Sequence, residues 1–219
     1  VFSGPGFTIE DVLIHEDERA GVEPFAHVPE MTVSVSPWSV FSRKLRFSSL
    51  RLVEPSINLA RTPDGLWNVQ LLVDRSDAIE LPEFQIRDGR VNFKSGTRKS
   101  IFYFGNVDAD VNADPSRVRF SVSGDPFRTD RAASHVGVWD IAGTWNLKGS
   151  DSSFDGDVEI ERTGIGELIR LIGGNDPGLR GFVAAEARIS GPISALKVQG
   201  KLRLDDFSER LFRPGLGLN

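Results

Sequence analysis

The sequence predicts a mainly β protein built on one long, twisted antiparallel sheet with two or three short helices. About a dozen segments alternate apolar and polar side chains with the two-residue period of a strand that has one buried face. These segments recur at roughly eight-to-fifteen-residue intervals with turn-forming residues between them, as in all-β proteins. A composition of 39% hydrophobic and 26% charged residues suits a sheet with one wet face.

The length, net charge and cysteine content limit the possible classes of protein. The 219 residues form one continuous region, 1–219, because all-β architectures often reach this size as a single unit. The formal net charge of −5 argues against a nucleic-acid partner, which would require a concentrated basic surface. The chain has no cysteine, which excludes disulfides and thiolate metal sites. It begins at Val1 without an initiator Met or signal peptide, and we expect it to be a fragment of a longer protein.

Two early segments change phase along their length. Residues 7–14 alternate but slip at Asp11, and residues 45–53 slip at Ser48-Ser49. A one-residue slip moves every later side chain to the opposite face, so we expect a β-bulge at each point. Between them, Ser-Pro at the start of residues 36–41 predicts a short helix.

Two hairpins are predicted in the middle of the chain. The first pairs a strand at 56–61 with a return strand at 67–71 across the turn residues Pro63-Asp64-Gly65. The second has Asp88-Gly89 at its apex, which favours a type I′ turn. Its register would place Ile86 opposite Val91 and Phe84 opposite Phe93 on one face.

The rest of the chain predicts three further strand pairs and two helices. The strand pairs are 107–112 with 118–123, 141–147 with 154–160, and 179–190 with 193–204. Apolar residues at helical spacing before Gly173-Gly174 predict a helix at 163–172, and a second helix is expected to open at 205–212.

Several short motifs resemble those of the AsmA-like family of bacterial envelope proteins, which includes the TamB-related proteins. The main one is residues 54–69, in which a proline-led strand is followed by Asp64-Gly65 and then Trp67-Asn68-Val69. Similar landmarks lie at 6–12, 86–91, 189–192 and 198–202, so the resemblance spans most of the chain.

The resemblance implies an apolar-lined, open β-groove that carries phospholipid or another acyl lipid between the inner and outer membranes. It also implies a periplasmic location, an inner-membrane anchor in the full-length protein, possible envelope protein partners and a role in outer-membrane lipid homeostasis. No cofactor and no metal are expected. The in-phase apolar side chains that would line the groove are Ile57, Leu59, Trp67, Val69, Phe84, Ile86, Val91, Phe93, Val118, Phe120, Val122, Trp145, Val158, Ile160, Val183, Ile189, Val198 and Leu202.

No catalytic or metal-binding motif is apparent, so we do not expect an enzyme. Asp108 to Asn112 resembles the start of a calcium loop, but Ala113 and Arg119 stand where the loop needs Gly and Glu. The three histidines are far apart and lack metal-ligand spacing.

Three alternatives stay open at this point. A closed β-sandwich could hold a glycan or protein partner with its loops and bury the same alternating residues. An envelope scaffold could recruit a partner strand to a sheet edge. A hydrolase would require a convergent cluster of carboxylates with perturbed pKa values or a Ser-His pair.

Overall fold

A computed structural model describes residues 5–15, 23–36, 46–61, 68, 82–95, 98–114, 116–129, 137–147, 152–166, 169, 178–192 and 195–209. Eleven strands are formed by these residues. They are β1 (Gly6–Ile14), β2 (Ala26–Val35), β3 (Phe47–Val53), β4 (Ser56–Arg61), β5 (Glu83–Ser95), β6 (Arg98–Asp114), β7 (Arg117–Arg128), β8 (Trp139–Asn146), β9 (Ser153–Gly164), β10 (Leu179–Pro192) and β11 (Lys197–Glu209).

All eleven strands belong to one sheet, which confirms the predicted mainly β, single-sheet fold. The order is β1-β2-β3-β5-β6-β7-β8-β9-β10-β11, and β4 pairs with β2 and β5 beside this path. The sheet is mixed rather than antiparallel throughout, because β5 runs parallel to both β3 and β4. A parallel pair needs a crossover of a dozen or more residues, and residues 62–82 between β4 and β5 provide one.

The hairpin predicted at Asp88-Gly89 is wrong. β5 runs through both residues without reversing, and Ile86 and Val91 pair with Ala109 and Phe104 of β6 rather than with each other. Asp88 has a φ of 53°, the left-handed conformation of a bulge residue, and the register shifts on both sides of Gly89. The Asp-Gly pair therefore supplies a bulge instead of a turn.

Irregular residues line up across the first six strands to form a crease. Asp11, Glu54, Asp88 and Asn106 all have φ values between 50° and 56°. Two of these residues bond to a neighbouring strand, since the Glu54 N–H donates to the Arg87 carbonyl at 2.8 Å and the Asp88 N–H donates to Asp108 Oδ1 at 3.0 Å. The phase change predicted at Asp11 lies on this crease, but the β-bulge expected there is wrong, because the β1–β2 register is the same on both sides of Asp11.

The meander from β6 to β11 matches its predicted pairings. Ala113 lies opposite Val118, and Trp145 lies opposite Phe154. Ile189 pairs with Val198 across a connection that is longer than the predicted Gly-Pro join. The slip predicted at Ser48 is confirmed by a register shift between β2 and β3.

The three predicted helices have different outcomes in the structure. β9 continues to Gly164, and the described helical residues of the predicted 163–172 helix are 165, 166 and 169. Residues 205–209 are part of β11, so the helix predicted to open at 205 is wrong there, because the alternation of β11 continues across a bulge at Asp206. Residues 37–41 of the other predicted helix lie outside the described residues.

Of the predicted return strand at 67–71, only Asn68 lies within the described residues. It is helical and 1% exposed, and its side chain bonds to the backbone of β4. Its Oδ1 accepts from the Ala60 N–H at 3.1 Å, and its Nδ2 donates to the Asn58 carbonyl at 2.9 Å. One amide side chain thus satisfies two backbone groups on the β4 edge, as a paired strand would.

Candidate functional site

Two rows of apolar side chains cross the sheet on one face, which we call the apolar face. Directly paired residues in a sheet point to the same face, so the register identifies each row. The first row is Ile9, Met31, Leu52, Ile86, Ala109, Val122, Ile141, Val158, Ala187 and Gly200. The second row is Phe7, Val33, Leu50, Phe84, Val111, Phe120, Gly143, Gly156, Ile189 and Val198.

The opposite face, the polar face, carries the residues between these rows. One of its rows contains a single apolar residue, Ala142. This row is Thr8, Thr32, Arg51, Gln85, Asp110, Ser121, Ala142, Asp157, Arg188 and Gln199. The sheet is therefore amphipathic from edge to edge.

The register brings sixteen of the eighteen predicted lining residues together on the apolar face, while Trp67 and Val69 lie outside the described residues. Seven of the sixteen belong to the two rows above. The others are Ile57 and Val91, which pair with each other; Leu59 and Phe93, which also pair; Val118 and Trp145; Ile160 and Leu202, both opposite Ala185; and Val183, opposite Leu204.

Aromatic side chains that sequence reasoning missed close one end of this face. The Phe104 ring lies 5.9 Å from Phe93 and 5.2 Å from Trp139, both edge-to-face. The Trp139 Nε1–H donates to Thr163 Oγ1 at 2.9 Å, which satisfies the indole where it is half-buried. The alternation of Ile141 and Gly143 could have been extended back to Trp139, whereas the bulge before Val107 hides Phe104 from any two-residue pattern.

Burial differs strongly along the apolar face. Near the aromatic cluster, Val107 is 4% and Val183 is 2% exposed. At the opposite ends of the strands Trp145 is 39% exposed, and on the edge strand β11 Val198 reaches 65%. Inside the sheet the face is therefore more buried beside the aromatic cluster than at the opposite strand ends, whereas the edge strand β11 is exposed at both ends, with Leu204 at 47%.

Several charged side chains on the polar face pair with each other. Asp110, part of the rejected calcium-like motif, accepts a 2.7 Å hydrogen bond from Arg87 Nη2, and this bond raises the pKa of Arg87 above its ordinary value. Asp155 likewise accepts from Arg188 at 2.8 Å. His27 Nε2 lies 2.7 Å from an Asp11 carboxylate oxygen. Among the described residues, no group of three metal-ligating side chains converges on one point.

The described residues define a class of protein, a single amphipathic β-sheet that presents a broad apolar surface on one face. Scans against models of known protein families and against curated proteins find no match to this chain. Within the part of the chain that the structure describes, no helix is long and apolar enough to span a membrane.

Proposed function

We propose that the apolar face binds the acyl chains of phospholipid and carries them between the inner and outer membranes of a bacterial envelope. The observation that carries the proposal is the pair of apolar rows that run through ten paired strands, with polar residues on the other face. All extensive contacts between described strands join sheet neighbours, so these contacts give no sign of a second layer over the rows.

The free energy required fits such a surface. An acyl chain that leaves a bilayer loses about 0.8 kcal/mol of favourable transfer free energy per CH₂. A chain of roughly sixteen carbons therefore needs about 12 kcal/mol from new apolar contacts. Apolar side chains in continuous rows can supply this contact, whereas a polar cleft cannot. Passive binding of this kind also requires no catalytic group.

The length of the rows also suits acyl chains. Ten strands at about 4.8 Å spacing make a row roughly 43 Å long. The hydrocarbon of one bilayer leaflet is about 15 Å deep, half of the full core. A row is therefore long enough for more than one acyl chain placed end to end.

The resemblance of residues 54–69 to AsmA-like proteins supports the cellular setting of the proposal. In that setting the chain works in the periplasm, within a longer protein anchored in the inner membrane, and supports outer-membrane lipid homeostasis. Its ligand is phospholipid or another acyl lipid.

Mass spectrometry of lipids extracted from the purified protein tests the proposal. Phe120→Glu is the informative variant, because Phe120 is half-buried in the second apolar row and its ring lies 5.9 Å from Phe154. If the face is open to ligand, the new carboxylate can reach water and the protein stays folded. Bound acyl chains would then meet a charge, and the co-purified lipid should fall several-fold.

Ser121→Glu is the matched control, since Ser121 is the next residue, exposed on the polar face between Asp110 and Ala142. We expect this variant to keep both its melting temperature and its lipid. If Phe120→Glu unfolds, the surface is a sealed core, as in a sandwich, where a buried unpaired carboxylate costs several kcal/mol. If it folds and keeps its full lipid load, this part of the face does not bind lipid.

The exposed edge strand β11 favours the envelope scaffold as a second candidate function. Leu202 and Val198 are both 65% exposed on this thirteen-residue strand, which pairs on one side with β10. A long edge with exposed apolar residues can accept a strand from another protein. In this case lipid would be absent from the purified protein, and substituting alternate β11 residues with proline would abolish partner binding.

A further inference from the structure

The strand ends opposite the aromatic cluster form an exposed apolar rim along β7–β11. We call this the open rim and define it by Trp145, Leu147, Phe154, Leu196 and Val198. Leu147 is 43% and Leu196 is 45% exposed. The Leu147 N–H donates to the Ser116 carbonyl at 2.8 Å, which places Leu147 beside the β6–β7 turn at the same end of the sheet.

The open rim is continuous with the apolar face. Trp145 pairs with Val118 on one side and with Phe154 on the other, and the Phe154 ring contacts Phe120 in the second apolar row. An acyl chain that enters over the rim can reach the row without crossing a polar strip. At the other end Val183 and Ile165 are buried, although Leu204 opposite Val183 on the edge strand β11 is 47% exposed.

Although the chain as a whole is acidic and Glu83 and Asp110 line the same recess as Arg119, cations unpaired within the described residues lie beside the open rim. Its carboxylates are engaged, because Asp114 pairs with Arg117 and Asp155 pairs with Arg188. Arg119 and Lys197 are exposed and form no ion pair with the described residues. Both belong to the polar-face row next to Trp145, so two cations flank the apolar rim.

We infer that the open rim docks on the surface of a phospholipid bilayer that contains anionic lipid, and that acyl chains enter the apolar face there. Tryptophan and leucine beside arginine and lysine is the combination that favours the bilayer interface, where apolar side chains enter the acyl region and cations contact phosphate. This inference rests on the proposed function, because it names the edge through which the same surface would be loaded.

Site-specific labelling tests the orientation, and the absence of native cysteine makes it direct. Leu147→Cys and Phe207→Cys each carry an environment-sensitive fluorophore. Phe207 is 54% exposed and lies at the end of β11 away from the open rim. It is therefore similar to Leu147 in exposure and opposite in position. With phosphatidylethanolamine/phosphatidylglycerol vesicles, emission should shift to shorter wavelength at position 147 and stay unchanged at 207.

Unlabelled variants then measure how much the apolar and the charged side chains of the rim contribute to vesicle binding. Leu147→Ser with Leu196→Ser should weaken flotation with these vesicles about tenfold or more, since two large apolar side chains no longer enter the bilayer. Arg119→Gln with Lys197→Gln should cost about tenfold on anionic vesicles and little on phosphatidylcholine vesicles. The control pair, Leu13→Ser with Phe207→Ser, should bind as the parent does.

The result that would overturn the inference is a label at 147 that stays in water, or labels at 147 and 207 that respond equally. Equal vesicle binding by the Leu147/Leu196 variant and the parent would also overturn it. Co-purified lipid separates this failure from failure of the proposed function. A protein that carries lipid but does not dock by the rim contradicts only the rim, whereas one without lipid contradicts the proposed function itself.

Discussion

The two halves of the sheet share one alternating pattern but bury it to very different degrees. In β1–β7 the apolar face includes a cluster of buried side chains, namely Ala26, Val28, Leu52, Ile86 and Ala109. In β8–β11 the corresponding positions of the rows are occupied by small residues such as Gly143 and Gly200, and large neighbours such as Leu202 are exposed. Alternation therefore decides which face a residue occupies, while side-chain size and the number of neighbouring strands decide how deeply it is buried.

The largest expected effect compares one substitution in both halves. Leu52 is 4% exposed within the buried cluster, and Leu202 is 65% exposed on the edge strand. Leu52→Ala should lower the free energy of unfolding by about 2–4 kcal/mol, because it removes buried methyl groups and leaves a cavity. Leu202→Ala should change it by less than about 0.5 kcal/mol. Urea titration followed by circular dichroism measures both.

Equal losses at the two leucines would contradict the contrast between the halves, since they would require Leu202 to be covered in solution. A covered Leu202 would indicate a partner strand on β11 or self-association. Repeating the titration at a tenfold lower protein concentration would then separate these two explanations.

The second effect concerns the amide that completes the β4 edge in the buried half. Asn68→Leu removes the acceptor of the Ala60 N–H and the donor to the Asn58 carbonyl, and it leaves both groups unpaired in a buried place. The expected loss is about 2–3 kcal/mol, since each unsatisfied backbone group costs about 1–3 kcal/mol and partial solvation recovers some of it. The exposed Asn112→Leu is the control, and a loss of equal size there would show that the effect is not specific to Asn68.

The β6–β11 meander and Asn68 show how far the sequence could predict the fold. The meander from β6 to β11 was predictable because its strands are neighbours in sequence, so alternation and turn chemistry together set the register. The role of Asn68 was not, because its side chain bonds to backbone groups eight and ten residues away, which no periodicity encodes.

The sequence did not predict the parallel placement of β5, for a related reason. Asp88-Gly89 has the same local chemistry in a tight turn and in a bulge. The choice is made by the backbone on either side, since the Arg90 N–H donates to the Pro55 carbonyl and the Glu54 N–H donates to the Arg87 carbonyl. Those partners are more than thirty residues distant in sequence.

For the candidate site, the sequence predicted which face of the sheet the apolar residues occupy but not how exposed each residue is. Val183 and Leu204 lie directly opposite each other on the apolar face, yet one is 2% and the other 47% exposed. The difference arises because β10 has a strand on each side and β11 pairs with β10 alone in the described sheet.

A third, smaller effect addresses the crease in the buried half. A Cβ at Gly89 would lie 2.7 Å from Ile86 Cγ2 and 3.3 Å from both Pro55 Cγ and the Val107 carbonyl oxygen. Gly89→Val should therefore destabilise by about 1–2 kcal/mol through overpacking. The positive φ lies at Asp88, so Asp88→Gly should be neutral or stabilise by up to about 1 kcal/mol. A thermal melt in which Asp88→Gly is the more damaging change would show that the crease is misassigned.

The smallest effect is a pH dependence at the β6–β7 turn, which lies beside the open rim. Asp114 Oδ1 accepts hydrogen bonds from the Ser116 hydroxyl and N–H and from the Arg117 N–H at 3.1 Å. These bonds, foremost those from Ser116, lower the pKa of Asp114 below its ordinary value of 3.8. Because the pKa is lower in the folded state, the carboxylate stabilises the fold above that ordinary value, and this contribution is lost as the pH falls through the folded-state pKa.

Asp114→Asn should therefore melt slightly below the parent near about pH 6, and the two should converge as the pH falls through the folded-state pKa of Asp114. The expected difference is small because the Asp114 carboxylate is partly exposed and its ion pair with Arg117 is screened by solvent. Asp140→Asn removes an exposed carboxylate on the polar face and is the control for the loss of one negative charge. A gap between Asp114→Asn and the parent that widens in acid would have the wrong sign and would remove Asp114 as the group that holds this turn.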